Sequence, residues 1–138
     1  MIDDSGTFSG AAAKELKEET GLSFTESELI DLTALASSSP SQSPSSSSKS
    51  EIKEDLQQAI YPSPGACDEF IPIFLCRKRL PRSQLEEMQG KLTGLREHGE
   101  KITLKIVRLG ELWREGCRDG KTLAAWALYQ GLRGEGRV

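Results

Sequence analysis

From Ser37 to Ser50 the chain is serine and proline apart from Gln42 and Lys49, and this stretch limits what the rest can build. It holds no apolar side chain whose burial would offset the entropy of ordering it, so the sequence predicts a disordered loop at 37–50. Any core must come from the blocks on either side. Hydrophobic residues make up 36% of 138, enough for one modest domain spanning 1–138 and interrupted by this insert. Ser39-Pro40 and Ser43-Pro44 leave a phosphorylated regulatory loop open, although a tolerated surface insertion is the commoner case.

The block before the insert carries the densest chemistry. Lys14-Glu15-Leu16-Lys17-Glu18-Glu19-Thr20-Gly21-Leu22 follows three alanines, with Ser9 as the expected N-cap and Gly21 as the expected left-handed C-cap of a helix. Ala12 and Leu16 form its inward stripe. Glu15, Glu18 and Glu19 stand at i, i+3 and i+4, so one face presents them within about one turn of each other. Like charges crowded in this way repel, and a divalent cation that gathers hard oxygen ligands would relieve them. From periodicity alone a solvated acidic face, partly neutralised by Lys14 and Lys17, is the commoner arrangement.

Beyond the helix, Leu29 to Ala36 alternates closely enough to predict a strand. Glu51 to Ile60 is expected to form a short helix, and Ser63-Pro64-Gly65 a rigid turn able to bring backbone amides to a ligand or simply to lead into a strand. Phe70 to Cys76 reads as a core strand, with Pro72 placing it near an edge or bulge. Ser83 to Leu92 reads as an amphipathic helix, and Gly94 to Gly99 as a glycine-bounded loop carrying Arg96, Glu97 and the single histidine, His98. Ile102 to Val107 alternates as a strand. Helices are expected at Gly110–Gly116 and Lys121–Leu132, the second with Leu123, Trp126, Ala127 and Gln130 along one side. Trp113 and Trp126 read as packing residues rather than base-stacking ones.

A net charge of −3 gives no basic footprint for nucleic acid. The longest apolar run, Phe70 to Cys76, is too short for a membrane span and contains Pro72. Cys67, Cys76 and Cys117 have no paired metal-ligand spacing, which fits a reducing, cytoplasmic compartment.

The segment Lys14 to Leu22 resembles the second half of the Nudix box, Arg-Glu-hydrophobic-any-Glu-Glu-any-Gly-hydrophobic, with Lys14 in the Arg place. Upstream the likeness departs from the pattern: the isolated Glu position falls on Gly6, and the opening glycine would precede Met1. Met1-Ile2-Asp3-Asp4, Tyr61-Pro62-Ser63-Pro64-Gly65-Ala66-Cys67-Asp68-Glu69, Gly90-Lys91, Gly94 to Glu100, Glu111-Leu112-Trp113-Arg114 and the Lys121 to Tyr129 helix are similar, in order, to the ADP-sugar diphosphatases of that family. The resemblance implies an α/β Nudix fold, a mixed β-sheet flanked by α-helices, incomplete at its N-terminus because the family has several strands and a dimerising region ahead of the box. A homodimer is therefore implied for the full-length form.

What the resemblance implies chemically is Mg2+-dependent hydrolysis, with Mn2+ as a substitute, of a nucleoside diphosphate sugar such as ADP-glucose or ADP-ribose to AMP and a sugar phosphate. Glu15 and Glu19 would ligate the metal directly, with Glu18 as a further ligand or an acceptor behind them. Glu97 or Glu100 would position or deprotonate the water; His98 is the second candidate base, since imidazole titrates near neutrality. Arg96 would meet the phosphates, and Ser63, Pro64, Gly65 and Glu69 would border the substrate. Lys14 would orient a glutamate without the two-pronged contact of an arginine. The rival expectation is a truncated, non-catalytic nucleotide-binding or interaction module, supported by Gly6 and the absent upstream strands.

Overall fold

The computed structural model describes residues 7–38, 56–95, 97 and 99–138. Most of the expected insert, the first half of the helix expected at Glu51–Ile60, and Gly6, Arg96 and His98 lie outside them.

Helix α1 (Phe8–Thr20) begins two residues earlier than Ser9 would allow as a cap, because Thr7 takes that role: its side chain accepts from the Gly10 amide at 3.0 Å. Ser9 instead donates to Glu26 at 2.6 Å, and Thr7 donates to the same Glu26 oxygen at 3.0 Å. Both bonds hold the Glu26 carboxyl below the usual carboxylate range. They also fasten the 3-10 turn Glu26–Glu28 to the start of α1. The helix stops where expected, with Gly21 at φ 75° donating its amide to the Lys17 carbonyl.

The strand expected over Leu29–Ala36 is only its first third. Strand β1 (Leu29–Asp31) gives way at once to helix α2 (Leu32–Ser37). Asp31 causes the switch: its carboxylate accepts from the Ala34 amide at 2.8 Å and from the Thr33 hydroxyl at 2.6 Å, capping a run of leucine and alanine that favours helix. Ser37 thus ends a helix rather than opening the insert, and Ser38 is its C-cap.

Strand β1 pairs antiparallel with β2 (Phe74–Cys76), Ile30 facing Leu75. The Leu32 amide extends the ladder to the Ile73 carbonyl at 2.8 Å. The core strand expected over Phe70–Cys76 is shortened accordingly, since Pro72 has no amide to give. Ahead of it Ile71 makes an isolated antiparallel bridge to Ile60. Residues 56–60 are therefore extended and bent, not helical.

Helix α3 (Arg82–Met88) ends short of the expected Leu92 because Gly90 turns left-handed at φ 74°. Strand β3 (Leu92–Thr93) then pairs antiparallel with β4 (Ile102–Thr103). Amide bonds from Leu104 to the Lys91 carbonyl (2.9 Å) and from Gly90 to the Leu104 carbonyl (2.8 Å) prolong the ladder. The Gln89 side chain continues it to the Ile106 amide at 2.8 Å. The described pairs are thus two small antiparallel sheets among helices, an α/β arrangement of Nudix-like kind without a parallel pair among the described residues.

Helix α4 (Leu112–Glu115) follows a 3-10 turn at Leu109–Glu111, and α5 (Gly120–Gly134) is capped by Asp119. The Asp119 carboxyl is held down at about 2 by the Thr122 hydroxyl and the Lys121 amide. The buried face of α5 centres on Leu132, 3% exposed, which packs against α2 where Leu32 (2%) and Thr33 (4%) are buried. The expected stripe is corrected: Leu123, Ala127 and Gln130 are exposed, and Ala125, Leu128 and Leu132 turn inward. Trp113 is also exposed, with the Arg114 guanidinium 4.7 Å from its ring centroid, so it is not a core residue among the described ones.

Gly116 joins α4 to α5 at the tightest point. A β-carbon there would lie 2.2 Å from the Thr122 methyl and 2.9 Å from its Cβ. Gly116→Ala is expected to destabilise the chain by about 1–3 kcal/mol, the usual cost of overpacking. Urea unfolding measures it, and an unchanged midpoint would show that this junction moves aside freely.

Candidate functional site

Helix α1 packs on β3, and Glu100 lies in the connection from β3 to its antiparallel partner β4. Lys91, just before β3, brings its Nζ to 3.9 Å from where a β-carbon on Gly21 would sit. A cation is thereby placed at the negative end of α1.

Of the glutamates on this helix, Glu15 is exposed while Glu18 and Glu19 are half-buried. The Glu19 carboxyl is pushed above the usual carboxylate range, first by burial, then by the charge of Glu15 and then by that of Glu100. Glu100 comes from the loop, 81 positions further along the chain, so the fold brings the charge of a distant carboxylate to bear on Glu19. Glu100 is not loose. Its Oε2 accepts from the Leu95 amide at 2.9 Å, and its own amide donates to the Leu95 carbonyl at 3.3 Å.

The two glycines expected to bound this loop do so with left-handed backbone, Gly94 at φ 85° and Gly99 at φ 86°. Gly94 has a second reason to lack a side chain: a β-carbon would meet the Glu100 carbonyl oxygen at 3.1 Å, its Cγ at 3.2 Å and its Oε2 at 3.3 Å. Glu97, in the same loop, is exposed.

The other expected site residues lie toward the opposite end of α1. Phe8 meets Phe70 edge to face with centroids 5.8 Å apart, and Tyr61 lies 6.4 Å from Phe70. These rings flank the Ser63-Pro64-Gly65 turn in sequence. The turn forms as expected, but the Ala66 and Cys67 amides both donate to the Ser63 carbonyl at 2.9 Å and are spent within it. Ser63, Pro64, Gly65 and Glu69 are all exposed. Two cavities adjoin this region. One of about 410 Å³ is lined by Phe8, Asp31, Phe70, Pro72 and residues 56–59, and one of about 340 Å³ runs between Ile60–Pro62 and the start of α5 at Asp119–Lys121. Neither is lined by the glutamates of α1.

The donor set at the Glu19 end suits a hard divalent cation: carboxylates, with no sulfur or imidazole among the described residues there, and a half-buried member whose charge is already opposed by its neighbours. In this conformation no three His, Cys, Asp or Glu side chains among the described residues converge closely enough to hold an ion. Mg2+ keeps several waters and needs only one or two carboxylates, so the set fits it through rotation of the exposed Glu15 and the half-buried Glu18 and Glu19. Sequence reasoning named Lys91 and Gly94 only as parts of motifs, and it missed Thr93 and the close approach of Glu100 at Gly94. The only local sign was the Leu92-Thr93-Gly94 alternation ending in glycine.

Over all 138 residues the chain is 38% identical to "Nudix hydrolase 14, chloroplastic" of Arabidopsis thaliana, and it spans 39% of that protein's length. No family model matches the chain. No solved structure matches it either. The identity extends over the whole of this chain, supporting the resemblance drawn from Lys14–Leu22.

Proposed function

We infer that the chain belongs to the Nudix hydrolases and acts in Mg2+-dependent hydrolysis of the diphosphate of an ADP-sugar, ADP-glucose or ADP-ribose, to AMP and a sugar phosphate. The observation that carries this is the likeness of the whole chain to a Nudix hydrolase; the charge of Glu100 felt by the half-buried Glu19 supports it.

Cleaving a phosphoanhydride asks little covalent chemistry of a protein, which supplies mainly charge and position. When bound, Mg2+ would neutralise the phosphate oxygens and polarise the scissile bond. Glu15 and Glu19 would hold it, with Glu18 as ligand or as acceptor behind them. Glu100, kept in place by the Leu95 amide, would aim the attacking water, and the exposed Glu97 is the alternative carboxylate for that proton. Burial of Glu19 favours the arrangement, because a half-buried carboxylate repelled by two others gains most from a cation.

Cys67, Cys76 and Cys117 are all free. Among the described residues no helix is long and apolar enough to cross a membrane.

A second reading, a nucleotide-binding module without turnover, is favoured by one observation: the carboxylates do not converge as ligands in this conformation. AMP release from ADP-glucose and ADP-ribose with Mg2+ separates the two. It should be measured for this chain with and without Mg2+, and AMP is expected only when the metal is present. No AMP from either substrate would end the hydrolase reading and leave the binding module.

A further inference from the structure

We propose that Thr93 is a positioning residue of the acidic cleft, its hydroxyl held in reserve to orient the Glu19 carboxylate when a divalent cation is bound. This rests on the metal-dependent reading above and extends it to a residue outside the acidic helix and the glutamate loop.

Three observations carry it. First, the Thr93 Oγ1 is buried yet has no hydrogen-bond partner among the described residues. A buried hydroxyl without a partner is a net cost, and such atoms are few in folded proteins. Secondly, the direction of the side chain follows from the strand. Leu92 is 57% exposed, whereas Thr93, its neighbour on the other face, is half-buried. Lys91 shares the Thr93 face by the two-residue period, and it reaches the Gly21 end of α1. The orphan hydroxyl therefore looks toward the C-terminal half of α1, the element that packs on β3.

Thirdly, a half-buried carboxylate stands at that end: Glu19 lies two residues before Gly21. The residue after Thr93 is Gly94, whose missing side chain lets Glu100 approach. One short segment, 93–95, thus provides the spare donor, the gap and the amide that fixes Glu100. A hydroxyl donating to one Glu19 oxygen would leave the other free for the cation and lower the cost of keeping the group charged.

Binding of Mn2+ to the 138-residue chain, followed by water proton relaxation, tests this beside the thermal midpoint of the metal-free protein. Thr93→Val is expected to weaken Mn2+ binding by about tenfold, the lower end of the loss seen when a residue behind the ligands is removed. The metal-free midpoint should stay equal or rise, because an unpartnered buried hydroxyl has gone. Thr93→Ser, which keeps the donor, is expected to bind within about twofold of the natural chain, well short of that loss. If Thr93→Val binds Mn2+ as tightly as the natural chain, or if its metal-free midpoint falls, Thr93 is only a packing residue and the proposal is overturned. If the natural chain itself binds no Mn2+, the metal-dependent reading fails first and takes this proposal with it.

Discussion

Replacing Glu15 and Glu19 together with Gln is expected to weaken Mn2+ binding by at least about a hundredfold, the upper end of what losing a residue behind the ligands alone can cost. The same change should raise the thermal midpoint of the metal-free protein at pH 7. Both effects have one origin. The folded chain holds the Glu19 carboxyl above its ordinary value of 4.5 by burial and by the charges of Glu15 and Glu100, so its ionised form opposes folding. For a group whose folded pKa is raised in this way, the penalty is absent below the unfolded value and grows as pH rises through the folded one.

The stabilisation from Gln should therefore be present at pH 7 and vanish below about pH 4.5, where the carboxyl is protonated in both states. Mn2+ titration and a series of melts between pH 4 and 7 measure the two halves. Unaltered metal binding in the double variant would remove α1 as the metal site. A stabilisation that persists unchanged at pH 4 would mean that Glu19 is not the group under strain.

The second large effect is expected at Gly94. Gly94→Ala has to place a β-carbon at φ 85° and 3.1 Å from the Glu100 carbonyl oxygen. The left-handed backbone alone costs roughly 1–2 kcal/mol for a residue with a side chain. The contact adds to this, since the neighbouring atoms include backbone and not only a flexible tip. The loop must yield by a few tenths of an ångström or more, and Glu100 moves with it. In a site that works by aiming a water, a misplacement of about 1 Å can cost on the order of a hundredfold in rate. AMP release should fall by up to that amount in the form that turns over, with a lower midpoint in urea. Wild-type turnover in Gly94→Ala would show that Glu100 need not stand where it does.

Local features were the readable ones. The alanines, the i, i+3, i+4 glutamates and Gly21 announce α1 within a single stretch, and Gly94 and Gly99 announce a loop because each occupies a conformation that other residues resist. The α5 helix was also plain, though its buried side was not, because the partner that selects Leu132 over Leu123 is α2, which lies far upstream. Leu29–Ala36 misled for a related reason. Alternation at Leu32, Thr33 and Ala34 imitates a strand, while the deciding interactions are the Asp31 cap and the bond from the Leu32 amide to Ile73, a residue on the far side of the insert.

The acidic face was legible as chemistry but not as a site, since only the fold decides whether Glu97, Glu100 or neither returns to it. It is Glu100 whose charge reaches Glu19. Thr93 gave no signal of its own. A threonine in a strand is ordinary until its hydroxyl is found buried and alone.

Helix α1 carries the aromatic contacts of Phe8 at one end and the glutamates at the other, with about 16 Å of helix between Phe8 and Glu19 at 1.5 Å per residue. On the proposed reading this makes the helix a ruler. The diphosphate is measured off at one end, and whatever the nucleotide sugar carries beyond it falls toward the other, beside the Phe8 and Phe70 cavity. Recognition and bond cleavage then sit on one rigid rod without sharing a side chain. Descendants of such a chain can exchange one sugar or base for another by altering the aromatic end, while the glutamate end goes on cutting the same bond.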